Sequence, residues 1–135
     1  MPKPILTKRF HFCAAHQYGH IDWSQEKNEA TFGKDAKNHG HNYTLEVSVK
    51  GEINPETGWL IDLGHLQEVV KKNVIDIFDH SQIEREISWF EDRQPSSENM
   101  VIFIWNQIEK GLNEGKLYRI RLIETATIYT DYYGD

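Results

Sequence analysis

The protein holds 135 residues, 39 % of them hydrophobic and 27 % charged, with a formal net charge of −6. That length suits one domain, residues 1–135, with its own core, and the composition is too apolar for a disordered tail. No apolar run is long enough to cross a bilayer, and an acidic balance without a basic cluster argues against nucleic-acid or membrane partners. The opening MPKPILTKRF lacks the apolar stretch of a secretion signal, and the single cysteine, Cys13, excludes an intrachain disulfide framework. Both features fit a cytoplasmic protein. Seven histidines against one cysteine favour imidazole and oxygen chemistry.

In sequence order, Ile5 to His16 is rich in aromatic and small residues and reads as a strand. Residues 17–38 are polar and Gly-containing, and read as a long irregular connection of the kind that carries function. His39 to Gly51 alternates: His39, His41, Tyr43, Leu45, Val47 and Val49 share one face, while Gly40, Asn42, Thr44, Glu46, Ser48 and Lys50 share the other. A turn-rich stretch over 51–58 ends that strand. Leu63, Leu66, Val70, Val74 and Ile77 keep helical spacing. A second helix follows Pro95, capped by Ser96 or Ser97 with Glu98 in its first turn, its stripe being Val101, Ile104, Trp105, Ile108 and Leu112, and Gly111 or Gly115 closing it. Leu117 to Tyr133 is β-rich and folds back near Glu124–Ala126. The order β-β-α-α-β-β predicts an α+β fold: a four-stranded antiparallel sheet with two helices on one face. Its free edges and second face predict oligomerisation.

His39-Gly40-His41 is the sharpest local signal, because residues i and i+2 of a strand project from one face and can reach one metal ion. Gly40 removes a side chain from the opposite face. His16, at the end of the first strand, is the best third ligand. Three neutral imidazoles with an open position are the pattern of catalytic zinc, although a bare His-x-His also occurs on ordinary strand ends. Asp79-His80, just past the first helix, can set a carboxylate against an imidazole to orient it, or can simply be a helix-terminal histidine. Glu124 is a carboxylate in an apolar stretch, and a ligand rich in N–H groups would partner it. Alternation turns Cys13 away from His16, which reads as a buried, inert thiol. His11 and His20 read as structural or solvent-facing, and His65 as helix surface.

Phe12-Cys13-Ala14-Ala15-His16, Asn38-His39-Gly40-His41-Asn42-Tyr43, Gly58-Trp59-Leu60-Ile61-Asp62-Leu63, Asp79-His80, Pro95-Ser96-Ser97-Glu98-Asn99 and Glu124-Thr125 stand in an order that resembles the 6-pyruvoyl-tetrahydropterin and 6-carboxy-tetrahydropterin synthase family. Each motif alone is common. Six in register between Phe10 and Tyr133 are specific. The resemblance implies the tunnelling fold (T-fold), in which protomer sheets join into a barrel, commonly as a homohexamer of two stacked trimers with active sites at subunit interfaces. It implies Zn2+ held by His16, His39 and His41, a proton relay containing Asp79, His80 and Glu124, and a pterin edge gripped by Glu98 and Glu124 with Thr125 nearby. The implied substrate is 7,8-dihydroneopterin triphosphate, and the implied activity a zinc-dependent lyase of the 6-carboxy-/6-pyruvoyl-tetrahydropterin type, the former serving queuosine biosynthesis.

The sequence departs from that family at Asp35, four residues before His39, where well-known members carry a proton-abstracting cysteine. A free thiol titrates near ~8.5 and a free aspartate near ~3.9, so an ordinary carboxylate is much the weaker base. A related subgroup carries glutamate there and makes 6-hydroxymethyl-dihydropterin for folate synthesis. Asp35 is therefore read as a base for altered chemistry or, more plainly, as a solvated loop residue. The alternatives are an aldolase of that kind, or a zinc- and pterin-binding paralogue without the usual turnover.

Overall fold

Two long strands, β1 (Ile5–His16) and β2 (His39–Lys50), form the middle of the sheet in the computed structural model, which describes residues 1–135. They pair antiparallel over their whole length, from Ile5 opposite Lys50 to His16 opposite His39. β2 continues antiparallel to a third long strand (Lys116–Thr125), and that strand to a last one (Ile128–Tyr132). The sheet has five strands, not four. The addition is Ser81–Gln82, which pairs parallel to Ala14–Ala15. Two residues carry no alternation to read, and their pairing is imposed by the corner that follows the first long helix. With Ser81–Gln82 as β3, Lys116–Thr125 as β4 and Ile128–Tyr132 as β5, the order across the sheet is β3-β1-β2-β4-β5.

One face of the sheet holds the core. Phe12, Tyr43, Leu45, Val47, Val49, Ile120 and Leu122 are buried there against two helices. The first starts as Leu63–Val70, capped by the Asp62 carboxylate, passes through a π-helical stretch at Lys71–Ile75 and ends at Asp76–Phe78. A π-turn loosens the backbone ladder. The Gln107 amide repairs it by donating to the Asn73 carbonyl at 3.0 Å. The second helix, Ser97–Glu109, is capped by Ser96, whose hydroxyl accepts from the Asn99 N–H. Its Met100, Val101, Ile104, Trp105 and Ile108 are buried. Lys110, not a glycine, ends it, but Gly111 is needed beside it: an added Cβ would stand 2.9 Å from both Val69 and Asn73. Gly115, at φ +66°, instead makes the turn into β4.

Residues 17–38, read as irregular, contain a helix at Gln25–Phe32 and a 3-10 turn at Gly33–Ala36. No residue of that helix is buried, so hydrophobic spacing had nothing to report; Ser24, accepting from the Lys27 N–H, starts it. Ile83–Glu86 and Ser88–Phe90 are two further short helical turns that the polar spacing of this stretch concealed. The outer face of the sheet is less solvated than a polar alternation suggests. Glu46 and Ser48 are buried there, the former held by Arg9 at 2.8 Å and Arg119 at 3.0 Å, the latter hydrogen-bonded to Thr7. No helix is long and apolar enough to cross a membrane.

Candidate active site

β1 ends where β2 begins, and strand alternation sends His16, His39 and His41 to the core side at that corner. The ligand atoms of the three imidazoles lie within 4.8 Å of one another. Backbone carbonyls fix two of the rings: His16 Nδ1 donates to Pro95 O at 2.7 Å, and His39 Nδ1 to Lys37 O at 2.8 Å. A carbonyl only accepts, so each Nδ1 carries the proton and each Nε2 presents a lone pair. Those two Nε2 atoms face each other at 2.9 Å. His41 Nε2 is buried without any hydrogen-bond partner. Lone pairs converging in a buried place are stable only around a cation. Burial, followed by the neighbouring imidazoles His39 and His41, outweighs the Pro95 contact and lowers the pKa of His16, favouring the neutral ring that a metal needs. The donor set fits a metal ion.

Carboxylates surround this centre. Glu124 Oε1 stands 4.0 Å from His16 Nε2 and 3.9 Å from His41 Nε2, and accepts from the Ser97 hydroxyl at 3.1 Å. It sits where the register between β4 and β5 slips, after Ile123 opposite Tyr129 and before Thr125 opposite Ile128. Such a bulge re-aims the end of a strand. Thr125 is the last residue of β4, its hydroxyl accepting from the Thr127 N–H of the turn that follows. Glu98 is exposed on the first turn of the second helix. Asp35 lies 3.6 Å from His39 Nε2 with its side chain 60 % exposed. It therefore has the reach to act at the centre. Its own backbone anchors the loop, since Asp35 O accepts from the Tyr18 N–H.

Tyr18 escaped the sequence reading, and Tyr43, placed on the face of His39 and His41, was not read as a site residue. Tyr18 packs its ring 5.3 Å from His16, and burial together with Glu124, Glu98 and Asp35 raises its pKa. Tyr43, buried, places its hydroxyl 3.5 Å from His16 Nδ1. The continuing two-residue period through His16 and Tyr18 was the available signal.

Asp79 and His80 are not brought to the imidazole triad. They stand at the β1 edge, where the Asp79 carboxylate accepts from the Cys13 N–H at 2.9 Å and lies 3.0 Å from His80 Nδ1. The Cys13 N–H bond, then the contact with His80, lowers the Asp79 pKa. His80 takes φ +63°, a conformation unusual outside glycine, and its N–H donates to Cys13 O at 2.6 Å. Cys13 is not buried: it is half exposed and its sulfur lies 3.8 Å from both ring nitrogens of His80. Alternation gave the direction of Cys13 correctly, away from His16; its exposure follows because the edge of β1 is covered only by the two-residue β3. His11 and His20 are exposed as expected, while His65 is half-buried and accepts from the Asn113 N–H.

Similarity to known proteins agrees with this geometry. A Dictyostelium discoideum protein named 6-pyruvoyl tetrahydrobiopterin synthase is 34 % identical over 131 residues, covering 97 % of this protein and 96 % of its own length. A putative 6-carboxy-5,6,7,8-tetrahydropterin synthase of Archaeoglobus fulgidus is 35 % identical over 92 residues, covering 67 % of this protein and 71 % of its own length. The solved structure of Caenorhabditis elegans 6-pyruvoyl tetrahydropterin synthase superposes with a TM-score of 0.93 at 29 % identity, over 100 % of this protein and 98 % of that one. The family described as 6-pyruvoyl tetrahydropterin synthase matches residues 5–135. The protein belongs to that family.

Proposed function

We propose that this protein is a zinc-dependent pterin lyase acting on 7,8-dihydroneopterin triphosphate. The observation that carries the reading is the pair of Nε2 lone pairs of His16 and His39 facing each other at 2.9 Å beside the unpartnered His41 Nε2. Zinc held there supplies Lewis acidity towards the hydroxyls of the substrate side chain. Asp35, next to His39 and open to solvent, is placed to take the proton such a hydroxyl sheds. Glu124, held by Ser97, accepts from the N–H edge of the pterin, with Glu98 and Thr125 flanking it. His80, oriented by Asp79, moves protons between side chain and ring.

The triad and the Asp79–His80 pair occupy different faces of one sheet, since Cys13 and His16 differ by an odd number of strand positions. The edges of β1 and β5 remain largely open for pairing. Copies joined through those edges, as a hexamer of two trimers, bring one copy's relay to its neighbour's metal.

Product identification by mass spectrometry tests the reading. Purified protein with zinc and the triphosphate should release 6-carboxy- or 6-pyruvoyl-tetrahydropterin; the former places it with queuosine-precursor enzymes. Release of 6-hydroxymethyl-dihydropterin instead would assign the aldolase reaction to the Asp35 carboxylate. Binding of the pterin with no product above a zinc-free blank would leave only a binding role.

A further inference from the structure

Three consecutive residues serve the metal corner: the Pro95 carbonyl fixes His16 Nδ1, Ser96 caps the second long helix, and Ser97 holds Glu124. Gln94, just before them, reaches the connection between β1 and β2 instead. Its Oε1 accepts from the Gly19 N–H at 2.9 Å, and its Nε2 donates to the Gly19 carbonyl at 2.9 Å. Only one orientation of the amide makes both bonds, so the side chain is fixed. One primary amide thus pairs with both backbone groups of a residue, as a neighbouring strand would. The Gln94 carbonyl is held in turn, accepting from Asn99 Nδ2 at 2.9 Å, which ties the clamp to a helix with a buried face.

The connection depends on such a hold. Its helix, Gln25–Phe32, buries no residue, so apolar packing contributes little to where residues 17–38 sit. From outside its own length it is tied by Glu84, which accepts from the Gln17 N–H at 3.0 Å, and by Gln94. Inside it, Gln17 Nε2 donates to Ala36 O at 2.8 Å and the Tyr18 N–H to Asp35 O at 2.9 Å. The route from helix to metal centre is short. Gln94 holds Gly19, the adjoining Tyr18 holds the Asp35 backbone, and the Asp35 carboxylate lies 3.6 Å from His39 Nε2. With its side chain 60 % exposed, Asp35 is placed through its backbone rather than by packing.

We propose that Gln94 is the positioning residue that sets Asp35 beside His39, acting through Gly19 and Tyr18. The inference rests on the pterin-lyase reading for the work that Asp35 does. Displacing a reacting group by about 1 Å can cost ~100-fold in rate. Loss of the Gln94 clamp, with Glu84 still in place, loosens the Asp35 loop by less than a full release. The three imidazoles keep their places, because the Pro95 carbonyl that fixes His16 belongs to the backbone.

Two measurements test this, one requiring turnover and one not. Gln94→Met keeps the length of the side chain and removes both bonds; Gln94→Glu keeps the acceptor for the Gly19 N–H and loses the donor to its carbonyl. In the assay above, Gln94→Met should lower kcat about tenfold with KM within about threefold and zinc content unchanged, Gln94→Glu falling between. In an Asp35→Asn background the same Gln94→Met change should cost less than about twofold, since the carboxylate it positions is gone. Independently, hydrogen exchange read by mass spectrometry should quicken about tenfold at the Tyr18 and Gly19 amides of Gln94→Met, while residues 43–49 of β2 stay protected. Full kcat in Gln94→Met, or an undiminished cost in the Asp35→Asn background, would overturn the proposal and leave the lyase reading intact. Unchanged exchange at Tyr18 and Gly19 would overturn it too. If the unsubstituted protein forms no pterin product yet exchange quickens in Gln94→Met, the lyase reading fails and the hold of Gln94 on the Asp35 loop stands.

Discussion

One nitrogen of His41 concentrates the chemistry of the triad. A buried ring nitrogen with no partner costs free energy unless something binds it, and two neighbouring Nε2 atoms aim at the same place. His41→Ala should drop zinc from about one ion per protomer to almost none, read by atomic emission on the purified protein. Retention of full zinc in that variant would contradict the triad. The depressed His16 pKa gives a second expectation at this scale. Unfolded histidine binds its proton near ~6.5, whereas folded His16 resists it, so below that pH the unfolded state holds more protons and stability falls. The loss grows until folded His16 itself titrates. Metal-free protein should melt at a lower temperature at pH 5.5 than at pH 7.5, and His16→Gln should narrow the difference.

Among the elements, the second long helix positions two site features at once. Ser96 caps it, Ser97 holds Glu124, and the Pro95 carbonyl just before them fixes the His16 ring. Ser96→Ala should cost about 1 kcal/mol in chemical denaturation. The exposed helix at Gln25–Phe32, also capped by a serine, buries nothing, and loss of the Ser24 cap should barely move global stability. The cap of the second long helix, the strand faces and the His-Gly-His pattern were legible because each rests on local spacing; the Asp62 cap of the first helix went unread. The β3 pairing and the Cys13–His80 contact were not legible, because both arise from a left-handed corner that no periodicity announces.

Across the whole molecule, the proposed reading has two clusters on different faces of one sheet serve one substrate. If copies complete each other, a mixture of His41→Ala and His80→Gln proteins, inactive separately, should regain part of the activity when refolded together. The regained activity should elute as an oligomer near six times the 15.9 kDa of one protomer. Failure to recover any activity from mixed, folded oligomers would place both clusters of the working site in a single copy. The outer face suits such packing: Arg121 and Asp131 are joined by two bonds of 2.7 and 2.8 Å, and Glu46 is already neutralised by Arg9 and Arg119. Charges paired before assembly cost less to bury than charges left bare.

Local spacing dictated the α+β order, the face each long strand buries, and the presence of a His-Gly-His pair on one side of β2. These follow from periods of two and 3.6 residues, which are written into neighbouring positions of the sequence. Folding was needed to establish that His16 meets that pair, that Glu124 joins it across a bulge, and that Cys13 looks onto His80. Those meetings depend on strand register and on one strained corner. They join residues far apart in sequence, 23 positions for His16 and His39 and 67 for Cys13 and His80, where no local rule reaches.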